Sequence, residues 1–381
     1  MQTGQRMWLG LIGAGVLSLV AGMWGGLIRM GWPWPVVDTV TVTAHGALMV
    51  SGFLGTVIGL ERAVALRVGW VYLGPLLSGL ATIALLAGVS LAVPVLGLAL
   101  AAALLAATLA LIVRRHPALY TVTMLVGGLA WLVGNVLWLA GYPIYRVVPF
   151  WMAFLVLTVA GERLELARFT RPSPLRRETF VASVAVVLIG VLASVWLFDA
   201  SIRLAGLGLL LLAAWLLRYD IALQTVRRTG ATRYIAVALL GGYIWLGIGG
   251  ALELWAGGVA AGYLYDAALH AVFVGFIMSM IFGHALIIVP ALTRRALPYR
   301  PVFYAPLALL SVSLLIRIVG DLAGDSAWRM AGGLLNATAI VLFMALLAYN
   351  VLAPAPAALT RGQVTPKGHA AQRDAASQSR Q

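Results

Sequence analysis

The chain has 381 residues, of which 62% are hydrophobic and only 10% charged, and its mean hydropathy is +0.99. A soluble domain carries about 25% charged residues, so this composition excludes a soluble enzyme and points to a polytopic membrane protein. The formal charge of +14 does not point to nucleic acid: the 26 basic residues, nearly all Arg, sit in short clusters between long apolar runs, the footprint of membrane topology. With no Cys, disulfides, thiolate metal sites, iron–sulfur clusters and covalently attached haem are excluded as well.

In chain order, apolar runs predict twelve spans at 7–29, 40–60, 70–88, 91–113, 118–140, 147–166, 179–197, 201–217, 233–256, 264–290, 302–320 and 328–352. The expected fold is all-α, twelve transmembrane helices over 1–353, with pseudo-repeated four-helix arcs as one possible arrangement. The Pro-, Ala- and Gln-rich segment 354–381 lacks the apolar area to fold and is expected to be a disordered cytoplasmic tail. The basic, Pro-broken loop 167–178 reads as a joint between two halves. With the N-terminus inside, the alternation of loops puts 21 of the 26 basic residues on the cytoplasmic side and leaves Arg29, Arg146, Arg203, Arg317 and Arg329 outside. That is a strong positive-inside bias. The expected setting is the cell inner or plasma membrane, with the lipid bilayer around a multi-pass chain and both termini cytoplasmic. Trp32, Trp70, Trp151 and Tyr299, at span ends, read as interface anchors.

Polar residues inside spans are costly and therefore informative. Span 2 holds His45, span 10 holds His270 and His284, span 9 holds Glu253 and span 11 holds Arg317. Spans 2 and 10 both run inward, so His45 and His270 lie at nearly one depth, close to the outer surface. Two imidazoles at one level on two helices are the usual way to hold a b-type haem in a membrane; the alternative is a histidine bonded to a neighbouring helix. Below His45, an ideal helix puts Met49, Gly52, Thr56 and Gly59 on one face, a flat groove for a porphyrin. Arg317 and Arg329, at the same outer level, are the expected partners of the propionates; Arg317 could instead pair with Asp321 or Glu253. Glu61–Arg62 and Glu162–Arg163 read as interfacial ion pairs ending spans 2 and 6. His284 lies 14 residues past His270, about 21 Å along the same face, and is the candidate for a second, inner metal site. Its only companion at that level is His116, flanked by Arg114 and Arg115.

The stretch TAHG-x-x-M around His45 resembles the second helix of haem–copper oxidase subunit I, a twelve-helix protein with both termini inside. The resemblance implies that His45 and His270 ligate a low-spin haem and that Arg317 and Arg329 meet its propionates. Span 6 lacks the H-x-x-x-Y of those oxidases, and no H-H pair follows it. The chain also resembles the NnrS family, twelve-helix membrane proteins containing haem and copper and linked to nitric oxide metabolism: His270, Gly275 and Met280 match its H-x4-G-x4-M pattern. Where that family's second helix begins H-x-H-E, this chain has His45 alone. The resemblance implies haem b, copper, and a role in electron transfer or in nitric-oxide-related respiration or protection, with a redox protein as partner. The competing readings are a secondary transporter and a non-catalytic subunit of a respiratory complex. The scarcity of charge at mid-membrane weighs against ion-coupled transport.

Overall fold

The computed structural model describes residues 2–36, 39–166, 173–293, 295 and 297–352. The expected tail 354–381 and most of the expected joint, 167–172, lie outside the described residues. Among the described residues, twelve long helical segments stand where the apolar runs are. They are α1 (Gln2–Arg29), α2, α3 (Gly69–Leu86), α4 (Ala92–Arg115), α5 (Leu119–Leu139), α6 (Ile144–Leu166), α7 (Pro174–Ala193), α8 (Phe198–Tyr219), α9 (Gly230–Ala256), α10, α11 (Pro301–Ala323) and α12 (Ser326–Leu352). Two of them are composite. Helix α2 joins Thr39–Thr43, His45–Ala47, a π-helical segment Leu48–Leu54 and Gly55–Leu66; α10 joins Tyr263–His270, a π-helical segment Ala271–Met278 and Ser279–Thr293. There is no strand among the described residues.

Eleven of these helices are long and apolar enough to cross a membrane. The expected seventh span is the exception. Helix α7 begins with Arg176, Arg177 and Glu178 in its first two turns and stops at Ala193, short of the expected 197. Its charge is absorbed by α8: the Arg176 guanidinium lies 5.5 Å from the centre of the Trp215 ring and donates to the Tyr219 carbonyl.

Burial divides the helices into two sets. In α2, α6 and α10, 67%, 78% and 67% of the apolar window is buried, against 56% or less in every other crossing helix. These three pack on one another, and the inner helices recur at every fourth position. Outer helices pack in succession, α3 on α4 and α4 on α5, then α7 on α8, α8 on α9 and α11 on α12, and α12 returns to α1. A helix apolar on all sides belongs in such an interior position. In α6 the large side chains of Phe150, Trp151 and Phe154 are wholly enclosed. Trp151 is therefore no interface anchor; its indole donates to Asn135 Oδ1 of α5 at 3.1 Å. Asn135 and Trp131 of α5 also meet Ser51 of α2, so a polar pin joins α2, α5 and α6 in the apolar interior.

Close helix contact in lipid depends on small residues, because no hydrophobic force separates helix from tail. A Cβ on Gly206 of α8 would meet the Gly250 carbonyl of α9 at 2.7 Å, and a Cβ on Gly250 would meet the Gly206 carbonyl at 2.7 Å. Those two backbones touch only because both residues are glycine.

At the end of the bundle away from His45, the two Glu–Arg dipeptides work between helices. Arg62 of α2 pairs with Glu162 of α6 as well as with its neighbour Glu61. Arg163 turns to Asp220, just after α8, in a two-pronged pair at 2.8 and 2.9 Å. Both side chains of that pair are at most 3% exposed. The Arg163–Asp220 pair is an interior tie, where a simple pair with Glu162 at the interface was expected, while the expected Glu61–Arg62 pair is present and extended to Glu162. Membrane-buried charges must find partners, and the nearest well-oriented partners are on neighbouring elements.

Candidate functional site

His45 and His270 come together. His45 stands near the start of α2 and His270 ends the first segment of α10, each within three residues of a π-helical stretch. Their ring centres are 6.3 Å apart and the ring planes are within 19° of parallel. His45 Nδ1–H donates to the Gly22 carbonyl of α1 at 2.6 Å, and His270 Nδ1–H donates to the Asp266 carbonyl one turn earlier at 2.8 Å. A carbonyl only accepts, so the proton of each neutral ring is on Nδ1 and the lone pair is on Nε2. Neither Nε2 has a hydrogen-bond partner among the described residues. For His45 this is the bond to a neighbouring helix that the sequence also allowed; in both rings it fixes the orientation and leaves Nε2 as the acceptor.

The seat of His45 requires glycine on α1. A Cβ at Gly26 would lie 2.8 Å from both Cε1 and Nδ1 of the His45 ring. Gly26→Ala is therefore expected to displace the imidazole from this seat while α1 itself stays helical. Circular dichroism should be unchanged and the haem spectrum proposed below should be lost; a wild-type spectrum in that variant would show that the ring's position does not matter.

Both histidines line one cavity of about 240 Å³. Its walls include Met49, Phe53, Trp151 and Phe273 as well as the three arginines Arg29, Arg317 and Arg329. Met49 is thus where the spacing put it. Gly52 is not: it faces away from the cavity, and a Cβ there would collide with Ser18 of α1 and Thr82 of α3. Thr56 bonds to the Gly52 carbonyl and Gly59 abuts Pro75 of α3. The expected flat groove is therefore filled by α1 and α3. The cause is the π-helical segment Leu48–Leu54. Its wider turn, with i→i+5 hydrogen bonds, rotates every later residue off the face that a 3.6-residue repeat assigns. Phe53 reaches the cavity in place of Gly52.

Arg317 pairs with neither Asp321 nor Glu253. Its Nε and Nη2 fork onto the two carboxylate oxygens of Asp266 at 2.8 and 2.9 Å. Arg329 approaches Asp266 at 3.4 Å and Asp321 at 3.0 Å. Asp266 Oδ1 is also 3.4 Å from His270 Nδ1. One carboxylate thus connects the arginine pair to the imidazole, and it holds both arginines at the cavity wall. Asp266 was missed in the sequence, although its position four residues before His270 is a readable signal.

His284 is not part of this site. Its Nδ1 bonds to the Met280 carbonyl of its own helix at 2.8 Å, and it does not line the cavity with the other two histidines. Among the described residues no group of three or more His, Cys, Asp or Glu is placed to hold a metal ion. Ring centres 6.3 Å apart are close enough for one metal centre to be held by both imidazoles.

A comparison with curated proteins finds no match. The chain matches the family model described as a domain of unknown function, DUF8744, over residues 6–352, and it belongs to that family.

Proposed function

We propose that this protein is an integral-membrane b-type haem protein that transfers electrons, with the haem held between His45 and His270. The observation that carries the reading is the histidine pair itself: two imidazoles with planes within 19° of parallel, 6.3 Å between centres, each with Nδ1–H tied to a carbonyl and Nε2 left over. When bound, the haem supplies a one-electron couple at that point. The chain supplies the rest. Gly22 and Asp266 hold the two rings through their carbonyls, so the ligand geometry is set before the group arrives. Met49, Phe53, Trp151 and Phe273 give the cavity apolar walls that keep water from the metal. The arginine–aspartate cluster sets the charge at one edge. The positive-inside bias puts this end of the bundle at the outer leaflet, within reach of a redox protein on that side.

The resemblance to haem–copper oxidase subunit I and to NnrS proteins supports haem. The proposal is confined to haem; copper, which the NnrS resemblance also implies, is not part of it. Nitric oxide chemistry requires a displaceable ligand, and a site with two well-held imidazoles favours electron transfer.

The test is an absorbance spectrum of the purified, haemin-reconstituted protein, oxidised, dithionite-reduced, and reduced under carbon monoxide. A six-coordinate low-spin spectrum that carbon monoxide barely changes is expected. No Soret band would remove the haem and leave the transporter or structural-subunit reading. A large, fast shift under carbon monoxide would mean an open iron, and would move the function to gas binding.

A further inference from the structure

Three arginines line the cavity, and among the described residues Arg29 alone of them has no carboxylate within ion-pair distance. Arg317 spends its fork on Asp266 at 2.8 and 2.9 Å. Arg329 lies against Asp266 and Asp321, with its guanidinium 5.3 Å from the centre of the Tyr263 ring. Two carboxylates thus already answer the two arginines that the sequence nominates for the propionates. Arg29 has no carboxylate and no hydrogen-bond partner among the described residues, yet it lines the same cavity and is open to solvent on its other side.

Its place on α1 is informative. Gly22 accepts from His45, and Gly26 makes room for the His45 ring. Residues 22, 26 and 29 follow the i, i+4, i+7 rule and share one helix face. Arg29 is on the face that seats the histidine, about 4.5 Å further along the axis than Gly26. A cation in the last turn of a helix is favourable for the helix dipole alone, but that role does not require it to line a cavity.

We propose that Arg29, and not Arg317 or Arg329, takes a propionate carboxylate of the haem. The inference rests on the haem reading above. Three arginines against Asp266 and Asp321 leave one positive charge at this edge, and an incoming carboxylate balances it. A second oxyanion could compete for the same guanidinium, the phosphate of an anionic lipid, and the experiment separates the two.

The full-length protein is reconstituted with haemin in phosphatidylcholine nanodiscs, and again in nanodiscs containing phosphatidylglycerol. Resonance Raman spectra then report the propionate bending mode, and transfer to apomyoglobin reports haem loss. Arg29→Leu should shift the propionate mode and speed haem loss about tenfold, the cost of one charge-assisted hydrogen bond, in both lipids. Arg29→Lys should restore most of both. An unchanged mode and unchanged haem loss in Arg29→Leu overturn the assignment while the wild-type Soret band keeps the haem reading intact. An effect confined to phosphatidylglycerol also overturns it, in favour of a lipid phosphate. A wild-type protein with no Soret band overturns both the assignment and the reading beneath it.

Discussion

Alanine at His45 or at His270 is expected to abolish the six-coordinate haem spectrum, each variant as completely as the two together. Either change leaves one imidazole to hold the iron from one side. The remaining histidine keeps its carbonyl, Gly22 or Asp266, so the half-site survives with an open position opposite it. Reduced single variants should then bind carbon monoxide readily where the parent does not, and haem retention should fall by about tenfold or more. His284→Ala is the control. Its ring is tied to the Met280 carbonyl away from the cavity, so it should leave the spectrum unchanged. A wild-type spectrum in either His45→Ala or His270→Ala would sink the ligand assignment, and loss of the spectrum in His284→Ala would relocate it.

The second large effect is at Asp266. Its carboxylate is the shared partner of Arg317 and Arg329, and the Arg317 side chain is only 7% exposed. Removing one member of a buried pair leaves an uncompensated charge and costs about 3–5 kcal/mol. Asp266→Ala should therefore lower the thermal unfolding midpoint in detergent sharply, whether or not haem is present. Asp266→Asn is the sharper probe of function. The backbone carbonyl that receives His270 Nδ1–H is untouched by either substitution, so the ligand stays oriented while one negative charge disappears. The midpoint potential should rise, because the arginines left behind favour the less positive, reduced iron. Arg317→Leu should move it the other way, since it removes a positive charge and frees the Asp266 carboxylate. Potentials that shift in the same direction in Asp266→Asn and Arg317→Leu would show that the cluster does not act on the iron through its charge.

The class of protein and the position of the helical segments were legible in the chain itself. Composition excludes a water-facing surface, and a helix that must satisfy its own backbone in lipid needs a long apolar run; eleven such helices stand at predicted spans. The shared level of His45 and His270 was legible for the same reason. Strict alternation of direction, together with a fixed rise per residue, converts sequence position into depth. What depth cannot supply is azimuth, meaning which way a residue faces around its helix and which helix it meets. The tertiary structure decided that. It put α2, α6 and α10 inside, so Trp151 became a buried donor to Asn135 and not an anchor. The π-helical turns after His45 and His270 broke the 3.6-residue count, which sent Gly52 to Ser18 and Thr82 and Phe53 to the cavity. Arg317 met Asp266 of a neighbouring helix because a buried cation takes the carboxylate that packing brings within reach, and that leaves Arg29, among the described residues, without a carboxylate at the cavity wall.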